Sequence, residues 1–330
     1  MNLTRMLHPL SPLNPSSQSK RSPRRKRRLS LALQGGGAFG AFTWGVLDRL
    51  LEDEIECDSI SGASSGAINA LLVASAMQHG GHSEARERLE RFWQKASALG
   101  ASLKSLRTGL SLLPSRVMSP YQFNPLGLNP LREILREEID FDRLAASKVS
   151  LLIAATRVRD GELRIFRNAD ITVEAALASA ALPMVHHAVS IEDDWYWDGG
   201  YSANPPLIPL AMESRGANVL VVQVVPMHRE ELPRTPREIS GRLTQITFNR
   251  SLIMELDMLA ELTRAHRKGV LQDGLSRKLR RLRLHRIKAE DSVDGMTGQS
   301  AMNLDWAFLI KLKDRGRAAA EAWLAGAPLR

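Results

Sequence analysis

The chain has 330 residues, of which 44% are apolar, 5% aromatic and 25% charged, with one cysteine and a formal net charge of +9. That is enough apolar sequence for one large domain or two ordinary ones, the lone Cys57 excludes an intrachain disulfide, and no stretch reaches the roughly 18 apolar residues a bilayer span requires. The positive charge is local: residues 1–28 hold eight Lys/Arg and no acid, which leaves 37 basic against 36 acidic residues in the remainder.

Residues 1–28, rich in Pro, Ser, Arg and Lys, read as a disordered basic tail. No apolar h-region precedes the basic run, which argues against a Sec signal and for a cytoplasmic protein, with peripheral membrane contact open to it. The charge suits anionic lipid, and a transit or effector-type secretion signal is the rival reading. Without interleaved aromatic residues, no nucleic-acid partner is expected. RLSLAL, 28–33, is an apolar run with no charge inside it, a buried strand. The loop QGGGAFG follows, and then AFTWGVLDRLLEDE, where Phe42, Val46, Leu47, Leu50 and Leu51 recur at helical spacing. IECDSI reads as a second short strand with Cys57 buried in it, GASSG as a bend, and AINALLVASAMQ as a small-residue helix able to lie close on a sheet.

Residues 80–147 read as a helical, cap-like insertion. Within them, 102–131 is apolar, broken by Pro and Gly and poorly periodic, so it is either a core connection, or a mobile cap or membrane-facing surface. KVSLLIAATRV and ELRIFRN form a hairpin across a DG turn. ITVEAALASAALP is a helix ending at Pro183, and AVSIEDDWYWDGGYSANPP is a β-turn region closing in a Gly- and Pro-rich loop. ANVLVVQVVP is the most strand-like run in the chain. Helices follow, with a second basic cluster at 264–288 (ten Lys/Arg against Asp273 alone) that suits either a solvated charged helix or contact with anionic lipid. A final amphipathic helix, LDWAFLIKLKDRGRAAAEAWLAG, follows. Strands alternating with helices imply an α/β fold with a mostly parallel sheet covered on both faces. The expected division is a tail at 1–28, a catalytic domain at 29–226, and a mainly helical part at 227–330 packed on the same domain.

Three loops carry the chemistry. Gly35, Gly36 and Gly37, with Gly40 behind them, stand between a strand and a helix, where backbone N–H groups can receive an anion. Gly35, Gly37 and Gly40 also fit G-x-G-x-x-G, with Glu56 or Asp58 about 20 residues on, which keeps a dinucleotide-binding enzyme in play. Gly62-Ala63-Ser64-Ser65-Gly66 fits G-x-S-x-G between strand and helix, the setting of a nucleophile elbow, and Ser64 alone has the symmetric glycines. Asp198, followed by Gly199 and Gly200, supplies a carboxylate on a loop able to pack closely, since serine needs a base to take its proton. His228 after VLVVQVVP gives the order Ser, Asp, His of an α/β-hydrolase triad. His186 and His187 either flank a cleft or fill a turn, and His79 and His82 lack the partners of a zinc site.

Together, in this order, the three loops resemble those of the patatin-like phospholipases, whose pattern is G-G-G-x-[RK]-G, then G-x-S-x-G, then D-G-[GA]. The resemblance runs from about residue 29 to 226 and takes in Ser179 and Pro183 of ASAALP and Asn204-Pro205-Pro206. It implies a three-layer α/β/α sandwich with a mostly parallel central sheet and a C-terminal helical extension. It also implies a Ser64–Asp198 dyad without histidine, metal or cofactor, an oxyanion hole at Gly35, Gly36 and Gly37, and a lipid ester as substrate, met at a membrane surface. Phe39 departs from the pattern at a position where the family usually carries Arg or Lys. The rival to a hydrolase is a non-catalytic lipid-binding module.

Overall fold

The computed structural model describes residues 28–109, 118–267, 278, 281–291 and 300–326. The tail up to residue 27 and the middle of the 264–288 cluster lie outside the described residues. The strands are β1 (Arg28–Leu33), β2 (Glu56–Gly62), β3 (Ser150–Arg157), β4 (Leu163–Arg167), β5 (Val189–Ile191), β6 (Asp194–Asp198), β7 (Asn218–Gln223) and β8 (Arg283–Lys288). They form one sheet in the order β5-β6-β3-β2-β1-β7-β8, with β4 paired to β3. β3, β2, β1, β7 and β8 run parallel, while β4, β5 and β6 are antiparallel additions at one side.

Side chains alternate across the parallel strands, and each face is covered. Leu31, Leu33, Leu220 and Val222 face a layer built from α1 (Gly40–Glu52), α2 (Ser65–Met77), α3 (Gly81–Gly109) and the terminal α10 (Trp306–Gly326). Ala32, Leu152, Val219 and Val221 face α8 (Leu207–Glu213) and α9 (Pro236–Arg267) through Leu207, Leu210, Leu252 and Leu259. The result is a three-layer α/β/α sandwich with the C-terminal helices as part of both outer layers. α1 and α10 cross closely because glycines meet there: a side chain at Gly45 would strike the Lys313 carbonyl, and one at Gly316 the Phe42 carbonyl.

Between α2 and β3, the helices among the described residues are α3, the short α4 (Pro120–Phe123), α5 (Leu131–Glu138) and the short α6 (Phe141–Leu144). α3 buries Leu89, Phe92 and Trp93, and Trp93 stacks on Trp44 of α1 at 6.4 Å. The helix expected to end at Pro183 is α7 (Val173–Ser179), begun by the Thr172 hydroxyl accepting from the Ala175 N–H.

The basic cluster departs from a charged helix: RLHRIK is the edge strand β8, parallel to β7. Only Ile287 is buried there. A strand paired on one side needs few apolar side chains, and its Arg and Lys discourage further strands from adding to the edge.

β3 positions the site. β4 spans Leu152 to Thr156 along one of its edges. The opposite edge is shared end to end, by β2 at Ser150–Ile153 and by β6 at Ala155–Arg157. Gly62 sits opposite Ile153 and Asp198 opposite Ala155. The chain leaving β2 therefore runs straight at the last residue of β6.

Candidate active site

Two residues past Gly62, Ser64 turns the chain from β2 into α2 with φ 53° and ψ −130°. A non-glycine residue in this left-handed region costs roughly 1–3 kcal/mol, and the surroundings must hold it there. Ser179 does so: the Ser64 N–H donates to its carbonyl at 3.0 Å and to its hydroxyl at 3.1 Å. The flanking glycines serve close approach. A side chain at Gly62 would meet the Ala67 nitrogen at 2.7 Å, and one at Gly66 the Leu33 carbonyl. The bend leaves Ser64 at the N-terminus of α2, where the helix dipole favours negative charge.

Asp198 ends β6 and is completely buried. Its N–H donates to the Ala181 carbonyl at 2.9 Å, and its carbonyl accepts from the Thr156 hydroxyl at 2.8 Å. In the side chain, Oδ1 accepts from the Gly200 N–H at 2.8 Å, while Oδ2 has no partner of normal length and angle among the described residues. Burial pushes the carboxyl from 3.8 up to about 7; the Gly200 N–H and the nearby Ser64 hydroxyl offset only part of that. A side chain at Gly199 would strike the Ala154 carbonyl, and one at Gly200 would meet the Phe248 ring at 2.5 Å.

The glycine loop lies directly against Ser64, since a side chain at Gly35 would come within 2.6 Å of the Ser64 Cβ. Asn204 holds Gly35 on both sides: Oδ1 accepts from the Gly35 N–H at 2.7 Å, and Nδ2 donates to its carbonyl at 3.1 Å. The Gly36 N–H donates to the Ser65 hydroxyl at 3.2 Å. Gly37 has φ 59° and packs against the Ala301 carbonyl. Gly40 fits against Ser65 and Trp93. Below the loop, the Gln34 Oε1 accepts from the N–H groups of Val224 and Val225, each at 2.9 Å, and its Nε2 donates to Asn249 Oδ1 at 2.9 Å.

The remaining candidates fall elsewhere. The His228 ring is 84% exposed and faces Glu290 at 3.6 Å, with no contact to Asp198. Asp58 is buried toward the start of β2, where it accepts from Ser30 at 2.6 Å and from the Gly216 N–H at 2.8 Å. It lies at the far end of the strands from the glycine loop, so no ribose bound there could reach it. Glu56, one turn of the pleat earlier, faces Arg28. His187 meets the Pro120 carbonyl at 3.2 Å, His186 is largely buried with its pKa lowered by that burial, and His79 pairs with Asp140 at 3.1 Å. Among the described residues, no group of three or more His, Cys, Asp or Glu could hold a metal ion. Phe39 is buried in the core. Gln34, Ser65 and Asn249 were not singled out from sequence. Their one signal is polarity at the end of an apolar strand, inside the bend, and on the inward face of a helix.

The chain is thus an α/β sandwich with a serine on a strand-to-helix bend, a glycine loop over it and a buried aspartate at its side. The model of the patatin-like phospholipases matches residues 31–211, more than half of the chain, and the chain belongs to that family. No curated protein matches it. Among solved structures, VipD from Legionella pneumophila is 14% identical with a TM-score of 0.41, covering 92% of this chain and 68% of that one. The type III effector ExoU is 15% identical with a TM-score of 0.39; the match covers 92% of this chain but 54% of ExoU, so this chain spans about half of that effector's length. The ExoU–SpcU complex of Pseudomonas aeruginosa is 18% identical with a TM-score of 0.34, covering 91% and 75%.

Proposed function

We propose that the protein is a lipid acyl hydrolase that cleaves carboxylic esters through a Ser64–Asp198 dyad and an acyl-enzyme. The observation that carries this reading is the fully buried Asp198, its carboxyl raised to about 7 and one oxygen unpartnered, beside a serine in a strained bend. A carboxylate titrating near neutrality is well matched to accept a proton from a hydroxyl and return it.

In this mechanism Asp198 takes the Ser64 proton as Oγ bonds to the ester carbonyl carbon. The carbonyl oxygen gains the negative charge and is met by the N–H groups of Gly36 and Gly37, each such donor being worth roughly 3 kcal/mol. Gly35 anchors the loop instead, because Asn204 already takes its N–H. The Gly36 N–H has a replaceable partner in the Ser65 hydroxyl. Collapse breaks the bond to the alcohol, which leaves with the proton from Asp198. Water then attacks the acyl-enzyme, Asp198 takes its proton, and the bond to Oγ breaks to release the fatty acid and restore the serine. In the same reading, residues 29–226 form the catalytic domain and 227–330 pack on it.

A fluorophosphonate probe and a panel of lipid esters test the proposal. Wild type should label and hydrolyse; Ser64→Ala should do neither. A wild type that stays unlabelled, or labelling retained in Ser64→Ala, overturns it.

A further inference from the structure

The stretch from Met118 to Leu128 is an ordered scaffold that displays apolar side chains to solvent. It begins with a capping box: the Ser119 N–H donates to the Gln122 side chain at 2.8 Å at the start of α4. Tyr121 lies on His187, ring centres 4.1 Å apart, and its hydroxyl accepts from the Ala188 N–H at 3.2 Å. His187 belongs to the turn after α7, the same connection whose Ser179 and Ala181 hold the backbones of Ser64 and Asp198. The scaffold therefore packs on the connection that supports the candidate site.

Its tip is a closed turn. The Asn124 side chain donates to the Leu128 carbonyl at 2.9 Å and accepts from the Leu128 N–H at 3.0 Å, while the Gly127 N–H donates to the Asn124 carbonyl at 2.9 Å. On that tip Leu126 is 80% exposed and Leu128 67%. Met184, on the neighbouring turn, is also exposed. Residues 118–131 contain no charged side chain.

Three features select the occupant. A charge-free tip has nothing to pair with a charged partner. The turn itself satisfies the Gly127 and Leu128 N–H groups and the Leu128 carbonyl, so these can leave water without being orphaned, which hydrocarbon demands. Through Gly127, which packs against His187, the tip also rests on the connection that supports the candidate site. We propose that Leu126 and Leu128 form a wedge that enters the acyl region of a phospholipid surface and seats the Ser64 mouth on it. This rests on reading Ser64 as the site of lipid ester hydrolysis.

The test uses the full chain carrying Ser64→Ala, so that lipid is bound and not consumed, sedimented with phosphatidylcholine vesicles at low and high salt. Binding should persist at high salt, and adding Leu126→Asp with Leu128→Asp should weaken it at least about tenfold. The melting temperature should not change, because both leucines are exposed. As a second reading, Leu126→Trp should bind as the parent does and shift its emission to the blue on vesicles. Undiminished binding of the double variant, loss of parent binding at high salt, an unshifted tryptophan, or a parent dimer that the double variant breaks would each overturn the wedge. Failure of the Ser64 reading looks different: the vesicles are bound through the leucines, yet wild type hydrolyses no ester.

Discussion

Asp198 should make the folded protein less stable where the enzyme works best. In the unfolded chain its carboxyl ionises at 3.8, and in the fold at about 7, because burial disfavours the charge. Since the folded pKa is the higher, the contribution of Asp198 to stability is most favourable at low pH and is lost as pH rises from about 4 through 7. At 1.36 kcal/mol per pH unit, the cost at pH 8 is on the order of 4 kcal/mol. Asp198→Asn removes the charge and keeps the bond from the Gly200 N–H. It also places an amide NH2 where Oδ2 has no partner, at a cost of about 1–3 kcal/mol. The variant should therefore be more stable than wild type by about 1–3 kcal/mol in urea unfolding at pH 8, with the gain gone by about pH 5. In the wild type, kcat/KM should be flat above pH 7 and fall about tenfold per unit below it, as the base becomes protonated. A stability difference that does not change with pH, or a rate that stays flat down to pH 5, would refute the reasoning.

Ser64→Ala should lower ester hydrolysis by at least about a thousandfold while leaving the fold intact. Ser64→Gly should be equally inactive, yet about 1 kcal/mol more stable in the same urea assay, because glycine adopts φ 53° without strain. His228→Ala should keep kcat/KM within about twofold, since its ring is exposed and turned to Glu290; a large loss would restore the triad.

Much of the fold was legible because its strands are apolar and its turns are marked. RLSLAL, IECDSI, KVSLLIAATRV and ANVLVVQVVP lie where the strands lie, each with few charges, and the last is bounded by Gly216 and Pro226. β8 was hidden because an edge strand needs little apolar content, so RLHRIK looked like the rest of a basic helix. The meeting of Ser64 and Asp198 lies beyond any local pattern. It follows from β2 and β6 sharing one edge of β3, which brings together residues 134 positions apart and which only the register reveals. Asp58 shows the converse. Its spacing fits a ribose ligand, but the strand direction puts it at the wrong end, where the N–H groups of Arg215 and Gly216 use it as a structural acceptor.

The site divides into strained groups and the groups that restrain them, and the two should respond to mutation with opposite sign. Ser64 and Asp198 are held in states the chain would otherwise leave: a left-handed serine and a buried, half-partnered carboxylate. Asn204 is a restraint, fully hydrogen-bonded, with Oδ1 taking the Gly35 N–H and Nδ2 donating to the carbonyls of Gly35 and Phe248 at 3.1 and 3.2 Å. Asn204→Ala orphans those buried groups at about 1–3 kcal/mol apiece and frees the glycine loop from its anchor. It should therefore lower stability and kcat together at pH 8, whereas Asp198→Asn lowers kcat and raises stability. Urea unfolding and steady-state kinetics on the two variants read both quantities. If both shift stability in the same direction, the division between strain and restraint is wrong.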